Sequence, residues 1–247
     1  MFYEKSSKCF SPTKIDIPKS KSPILQISGM NYQSKDNMVD QYFISYFNYD
    51  PDREIVWKEI AKYLQKFIPL QSKLLELGAG YCQFINNVGA EEKHALDIFE
   101  QIDKYARPEV VVHKESSTNL KCFGSEYFDT VFASNFLEHL DVEECEKTVD
   151  EIVRVLKKDG KFILIQPNFK YCYSNYFDDY THKRVFSHVS LPEYLKSKGF
   201  KIELLKPKFL PFSMKSRLPK TRMLVRLYLN LPIKPFGKQM LVIAKKK

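Results

Sequence analysis

The chain has 247 residues, of which 44% are hydrophobic, and a mean hydropathy of −0.37. That is enough for one large domain with a real core, and no apolar run approaches the roughly 20 residues of a membrane span. Five scattered cysteines (Cys9, Cys82, Cys122, Cys145, Cys172) without a C-x-x-C pair argue against a zinc cage or a disulfide framework, so reduced thiols in a cytoplasm are expected.

The net charge of +9 is unevenly placed: Lys201 to Lys247 holds 13 basic residues and one acid, and the preceding 200 residues sum to −3. Such a basic region can attract phosphates, nucleic acid or an anionic membrane, or serve only as a solvated surface.

Residues 1–50 read as an N-terminal lead-in or cap. Pro12, Pro18 and Pro23 interrupt a Ser/Lys-rich stretch, and Met1 to Ser22 lacks the apolar core of a secretory leader. An aromatic cluster follows: Tyr42, Phe43, Tyr46, Phe47 and Tyr49. The main domain is expected over 51–247. Asp50-Pro51 predicts a helix start, with Asp as cap and Pro in the first turn. Ile55, Ile60, Tyr63, Leu64 and Phe67 then recur at helical spacing.

From Lys73 the chain alternates. Strands are predicted at Lys73 to Leu77, His94 to Ile98, Glu109 to His113, Phe128 to Ser134 and Lys161 to Gln166. Helices are predicted at Tyr81 to Val88 and Glu143 to Leu156. This order argues for βαβ units around a parallel sheet. Two insertions are expected, 167–190 and 207–237. Between them, Ser190 is read as capping a short helix that Gly199 ends, followed by a strand from Lys201 to Leu205. The last strand is expected at Gln239 to Ala244.

The stretch Leu74-Leu75-Glu76-Leu77-Gly78-Ala79-Gly80 carries most of the chemistry. A short apolar strand ends in an acid and two glycines, which let the backbone turn sharply and a ligand come close. Gln83 stands where a third glycine would complete the dinucleotide fingerprint G-x-G-x-x-G. The reading therefore shifts from NAD towards S-adenosylmethionine. Asp97 lies 21 residues after Glu76, at the end of the second strand. A carboxylate there can accept both hydroxyls of a ribose.

These residues resemble class I S-adenosylmethionine-dependent methyltransferases over about residues 50 to 205. Glu76 to Gly80 matches the family's first motif and Asp97 its ribose-binding acid. Phe128 to Asn135, with Leu137-Glu138-His139-Leu140, matches the fourth-strand motif, and Leu156 to Lys161 the turn into strand five. The resemblance implies a Rossmann-like α/β fold with a seven-stranded, mostly parallel sheet in the order 3-2-1-4-5-7-6. It further implies that Glu76 faces the methionine amino group, that Gly78, Ala79 and Gly80 line the methionine and ribose, and that Ile98 lies against adenine. Ser116 and Ser117 stand where many relatives place an adenine-binding acid, and Asn135 and Phe136 flank the sulfonium side.

A narrower resemblance, to bacterial methyltransferases of capsule and surface-glycan biosynthesis, rests on Gln166-Pro167-Asn168, Tyr176 to His182, Phe209 to Phe212 and Lys215 to Pro219. It implies a small-molecule acceptor that is phosphorylated or nucleotide-linked.

His139 and His182 are the candidate general bases. His139 follows the fourth-strand motif. His182 sits with Asp178, Asp179, Tyr180 and Arg184 in a mixture that suits an acceptor pocket. Each histidine also has a plain structural reading. Arg217, with Lys215, Lys220 and Arg222, is a candidate for holding an acceptor phosphate, because guanidinium matches phosphate geometry. No metal is expected. Ser134-Asn135-Phe136-Leu137 is not the Asn/Asp-Pro-Pro-Tyr/Phe turn of amino-group base methyltransferases, which argues against a nucleic-acid substrate. An RNA methyltransferase and a non-catalytic cofactor-binding module stay open, as does peripheral membrane contact through Leu224 to Leu231 with Arg226.

Overall fold

The computed structural model describes residues 49–212 and 221–247. The aromatic cluster Tyr42 to Phe47 and the basic residues Lys215, Arg217 and Lys220 lie outside the described residues. The first helix, α1, runs over Pro51–Leu64, and the Asp50 carboxylate accepts from the Asp52 N–H. Seven strands follow: β1 Lys73–Leu77, β2 Glu92–Leu96, β3 Val110–His113, β4 Phe128–Ser134, β5 Leu156–Pro167, β6 Phe200–Pro211 and β7 Gly237–Lys246. Their order is β3-β2-β1-β4-β5-β7-β6, parallel except for β7, which is antiparallel to both neighbours. This is the class I methyltransferase fold, as the sequence predicts.

The central strands are buried on both faces, which explains their unbroken apolar runs. In β5, Ile163 and Ile165 face a core built with Trp57, Ile60 and Leu64 of α1. Phe162 and Leu164 face the opposite core. Cys145, Val149 and Ile152 close that second core from α2 (Val142–Val155), which begins with a reciprocal cap between Asp141 and Glu144. The short helix α3 (Phe169–Cys172), then α4 (Ser190–Ser197) and α5 (Arg222–Asn230) complete the described α-helices, and short 3-10 turns include Leu137–His139 and Tyr173–Asp178.

Several details differ from expectation. β2 runs two residues earlier than predicted, so Asp97 follows the strand, and Leu156 opens β5 where it was expected to close α2. Tyr81 to Val88 is a succession of turns, not a helix. The Ile85 N–H, which a helix would give to a carbonyl one turn back, goes instead to Glu76 Oε2 at 2.9 Å, and Cys82 takes φ 54°. Ser190 does not cap α4; Ser187 Oγ accepts from the Val189 and Ser190 N–H groups. β6 continues through Lys206-Pro207-Lys208 to Pro211, more than twice the predicted length. It is an edge strand, where a missing proline N–H is tolerated, and its pairing shifts between Lys206 and Leu210. β5 likewise begins early, at Leu156, with Asp159 in a left-handed turn at φ 65°.

Candidate active site

The loop after β1 is held by the neighbouring strand. Gly78 and Ala79 donate to the Leu96 carbonyl at 2.9 and 3.2 Å. The Asp97 carboxylate accepts from the Gly80 N–H at 2.7 Å and the Phe99 N–H at 3.0 Å. Gly78 has φ +66°, and a Cβ there would stand 2.4 Å from Cδ2 of Phe136. Glycine is therefore required twice over, for its backbone angle and for the approach of the Phe136 ring. Asn135, with φ 47°, turns the chain out of β4 and places that ring.

Glu76 and Asp97 are both buried. Burial raises both carboxyls above their usual range, and the charge of Asp97 adds to the rise at Glu76. Among the described residues no cationic side chain contributes at either acid. A ligand that brings positive charge and ribose hydroxyls would fit this pair: a carboxylate has acceptor positions beyond its backbone bonds. Ile98 next door is 52% exposed, an apolar surface suited to a purine face. Ala79 is buried in the loop. Ser116 is exposed and bonded to Thr118. The buried Ser117 hydroxyl turns to Thr148 of α2, an anchoring contact.

The two candidate bases, 43 positions apart in sequence, come together. The Glu138 carbonyl accepts from the N–H groups of Lys183 and Arg184, pinning the 167–190 insertion to the end of β4. The rings of His139 and His182 then lie 5.0 Å apart. Hydrogen bonding ties both rings to the insertion. Thr181 gives its only hydroxyl proton to Asp179 Oδ1 (2.5 Å), so its oxygen accepts from His139 Nδ1–H at 2.9 Å. His182 Nδ1–H donates to the Tyr176 carbonyl at 2.6 Å. The neutral His182 ring therefore carries its lone pair on Nε2, 3.9 Å from Asp179 Oδ2. Burial and the neighbouring His182 hold His139 down to about 4, and burial lowers His182. Both are unprotonated at neutral pH.

Glu138, which sequence reasoning passed over as part of a motif, completes the cluster. Its side chain is fully buried, Oε2 accepts from Gln166 Nε2 at 2.7 Å, and Oε1 has no hydrogen-bond partner among the described residues. Burial, reinforced by the Asp179 charge, pushes its carboxyl up to about 8. Ligand atoms of Glu138, His139 and His182 lie within 4.8 Å of one another, a set able either to handle a proton or to hold a divalent cation. Its only sequence signal was adjacency to His139.

Arg184 lies on the insertion, between the candidate bases and α4. Its guanidinium lies over the rings of Phe186 and Tyr194, at 4.9 and 5.1 Å. Tyr180 is 73% exposed on the insertion. His94 and His113 bond to each other at 2.9 Å in the sheet, and His188 bonds Asn168.

Residues 75–164 match the family described as a methyltransferase domain. An uncharacterized protein of Methanocaldococcus jannaschii is 29% identical over 131 residues, covering 52% of this chain and 60% of that one. A phosphoethanolamine N-methyltransferase of Plasmodium falciparum is 23% identical over 137 residues, half of each chain. The chain thus spans about half to three-fifths of the length of these curated relatives. Among solved structures, a SAM-dependent methyltransferase of Thermotoga maritima superposes with a TM-score of 0.60 at 20% identity, covering 85% of this chain and 96% of that one. The [4+2]-cyclase SpnF superposes with a TM-score of 0.54 at 15% identity, covering 79% and 80%. The domain match implies S-adenosylmethionine as methyl donor; the cyclase shows that this fold also hosts other chemistry.

Proposed function

We propose that this protein is an S-adenosylmethionine-dependent methyltransferase acting on a small-molecule acceptor. The acceptor atom is an oxygen of a sugar, phosphoryl or phosphoramidate group on a nucleotide-linked or phosphorylated capsule or surface-glycan precursor. The observation that carries methyl transfer is the glycine loop tied to Asp97 beside the buried Glu76, which no cation among the described residues neutralises. When bound, the donor supplies a methyl group already activated on a positive sulfur.

Glu76, Gly78, Ala79, Gly80, Asp97 and Ile98 hold the donor, and Phe136, packed on Gly78, borders its reactive side. Alignment and exclusion of water are the main work, an effect worth about 7–11 kcal/mol in favourable cases. His139 takes the proton of a hydroxyl acceptor. The resulting imidazolium is met by the Asp179 carboxylate through Thr181, with His182 beside it. The acceptor class is supported by the narrower sequence resemblance and by the basic residues of the second insertion, Arg217 among them.

Labelled S-adenosylmethionine with a panel of nucleotide-linked and phosphorylated sugars tests this reading. His139→Ala and His182→Ala are expected to lower the rate on a hydroxyl acceptor by about 10²–10⁴-fold while donor binding persists. Full rate in both variants would remove the base assignment. Arg217→Ala with unchanged acceptor affinity would remove the phosphate contact.

A further inference from the structure

Helix α5 is apolar on two sides. Val225, Tyr228 and Leu229 pack inward against the α1 core. Arg226 reaches back to the buried carboxylate of Glu59 at 3.0 Å, fixing the helix on α1. The outer side carries Met223, Leu224 and Leu227, and the following turn adds Leu231, Ile233 and Phe236, all exposed. Met223, Leu227 and Leu231 recur every fourth position and form one stripe. A surface helix ordinarily shows polar residues there.

The stripe leads to a cavity of about 690 Å³ between β6, α5, the end of α1 and α3. Lys66, Lys206, Lys208 and Lys234 line it with Tyr63 and Tyr171, and no lining residue is acidic. None of the four lysines pairs with a carboxylate among the described residues. Instead Lys206 donates to the Tyr63 hydroxyl at 2.6 Å, Lys208 lies over the Tyr171 ring, and Lys234 donates to the Tyr228 carbonyl. Burial and the proximity of Lys206 bring Lys234 down to about 8, the mark of a cation lacking its counter-ion. From Leu204 to Lys247 the sequence has no acid at all.

An uncompensated basic cavity rimmed by exposed aliphatic and aromatic side chains matches one chemistry in both halves: a phosphate attached to hydrocarbon. We propose that the outer face of α5 and the Leu231 to Phe236 turn dock on an anionic phospholipid bilayer, with the lysine cavity receiving a lipid phosphate. The apolar stripe enters the acyl boundary and the lysines meet the headgroups, as in interfacial helices. This inference is independent of methyl transfer and holds whatever the acceptor is.

Vesicle sedimentation with the full chain tests it. Binding is expected to vesicles of phosphatidylcholine containing phosphatidylglycerol, to be weak with phosphatidylcholine alone, and to fall as salt rises. Lys66→Ala and Lys208→Ala, both at exposed positions, should each weaken binding about fivefold. The double variant Leu227→Ser/Ile233→Ser should abolish it with melting unchanged. Failure to sediment with anionic vesicles overturns the proposal, as does binding unaffected by either variant set. A concentration-dependent dimer broken by Leu227→Ser, without vesicle binding, would assign the face to a second copy of the chain. Inorganic phosphate binding that needs the lysines, with vesicle binding indifferent to the serine changes, would make the cavity a soluble-anion site and also overturn it.

Discussion

Replacing Gly78 with alanine strikes the loop on which donor binding depends. The backbone there is left-handed, and the new Cβ would stand 2.4 Å from Cδ2 of Phe136. Left-handed backbone costs a residue with a Cβ about 1–2 kcal/mol. Forcing a methyl group into filled space costs about 1–3 kcal/mol more. Gly78→Ala should therefore lose about 2–5 kcal/mol, divided between fold stability and donor affinity. The lower figure alone is about thirtyfold in a binding constant. Thermal unfolding and calorimetric titration with the demethylated donor product read the two parts. Phe136→Ala removes the steric component and leaves the backbone strain. The double variant should then lose less than the sum of the singles, because the two sites share one contact. A Gly78→Ala protein that melts and binds like the parent would refute this reasoning, and strictly additive losses would place the collision elsewhere.

Three other outcomes are expected. Glu76 carries a raised carboxyl in the free protein and would meet a cationic ligand, so donor binding should release protons and tighten as pH rises through the acid range; calorimetry in buffers of different ionisation enthalpy measures this. His139, lowered from 6.5 to about 4, contributes stability that is full above 6.5 and lost as pH falls through 4; Glu138, raised from 4.5 to about 8, contributes stability that is full below 4.5 and lost as pH rises through 8. Melting temperature should thus decline at both ends, and Glu138→Gln should flatten the alkaline side. Chelator treatment should leave methyl transfer unchanged; loss restored by zinc would give Glu138, His139 and His182 a ligating role instead.

Much of the scaffold was legible because local pattern and tertiary environment agree. β1 and β4 fall where the apolar runs place them, and the Asp50-Pro51 start of α1 follows from cap chemistry. Tyr81 to Val88 misled because its apolar spacing suits a helix, while a side chain from β1 captures the backbone N–H that a helix would use. The length of β6 was hidden by Pro207, which is harmless only because the strand lies at the sheet edge. At the site, sequence spacing brought Glu76, Gly78 and Asp97 forward. The meeting of His139 with His182 was not readable, since it depends on the backbone carbonyl of Glu138 gripping a distant loop. The burial of Glu138 and the turning of Arg184 onto aromatic rings are likewise products of packing, invisible in residue order.

Calorimetric titration of the full chain with S-adenosylmethionine, its demethylated product and NAD tests the central claim most directly, with Ile98→Arg as the site probe because that side chain is largely exposed and its loss spares the core. One-to-one uptake of the first two ligands, and none of NAD, is expected. In the variant, affinity should fall about tenfold or more with melting unchanged, since a charge replaces an apolar contact worth at least about 1.4 kcal/mol. No heat with either sulfur nucleoside, or undiminished affinity in Ile98→Arg, would contradict it.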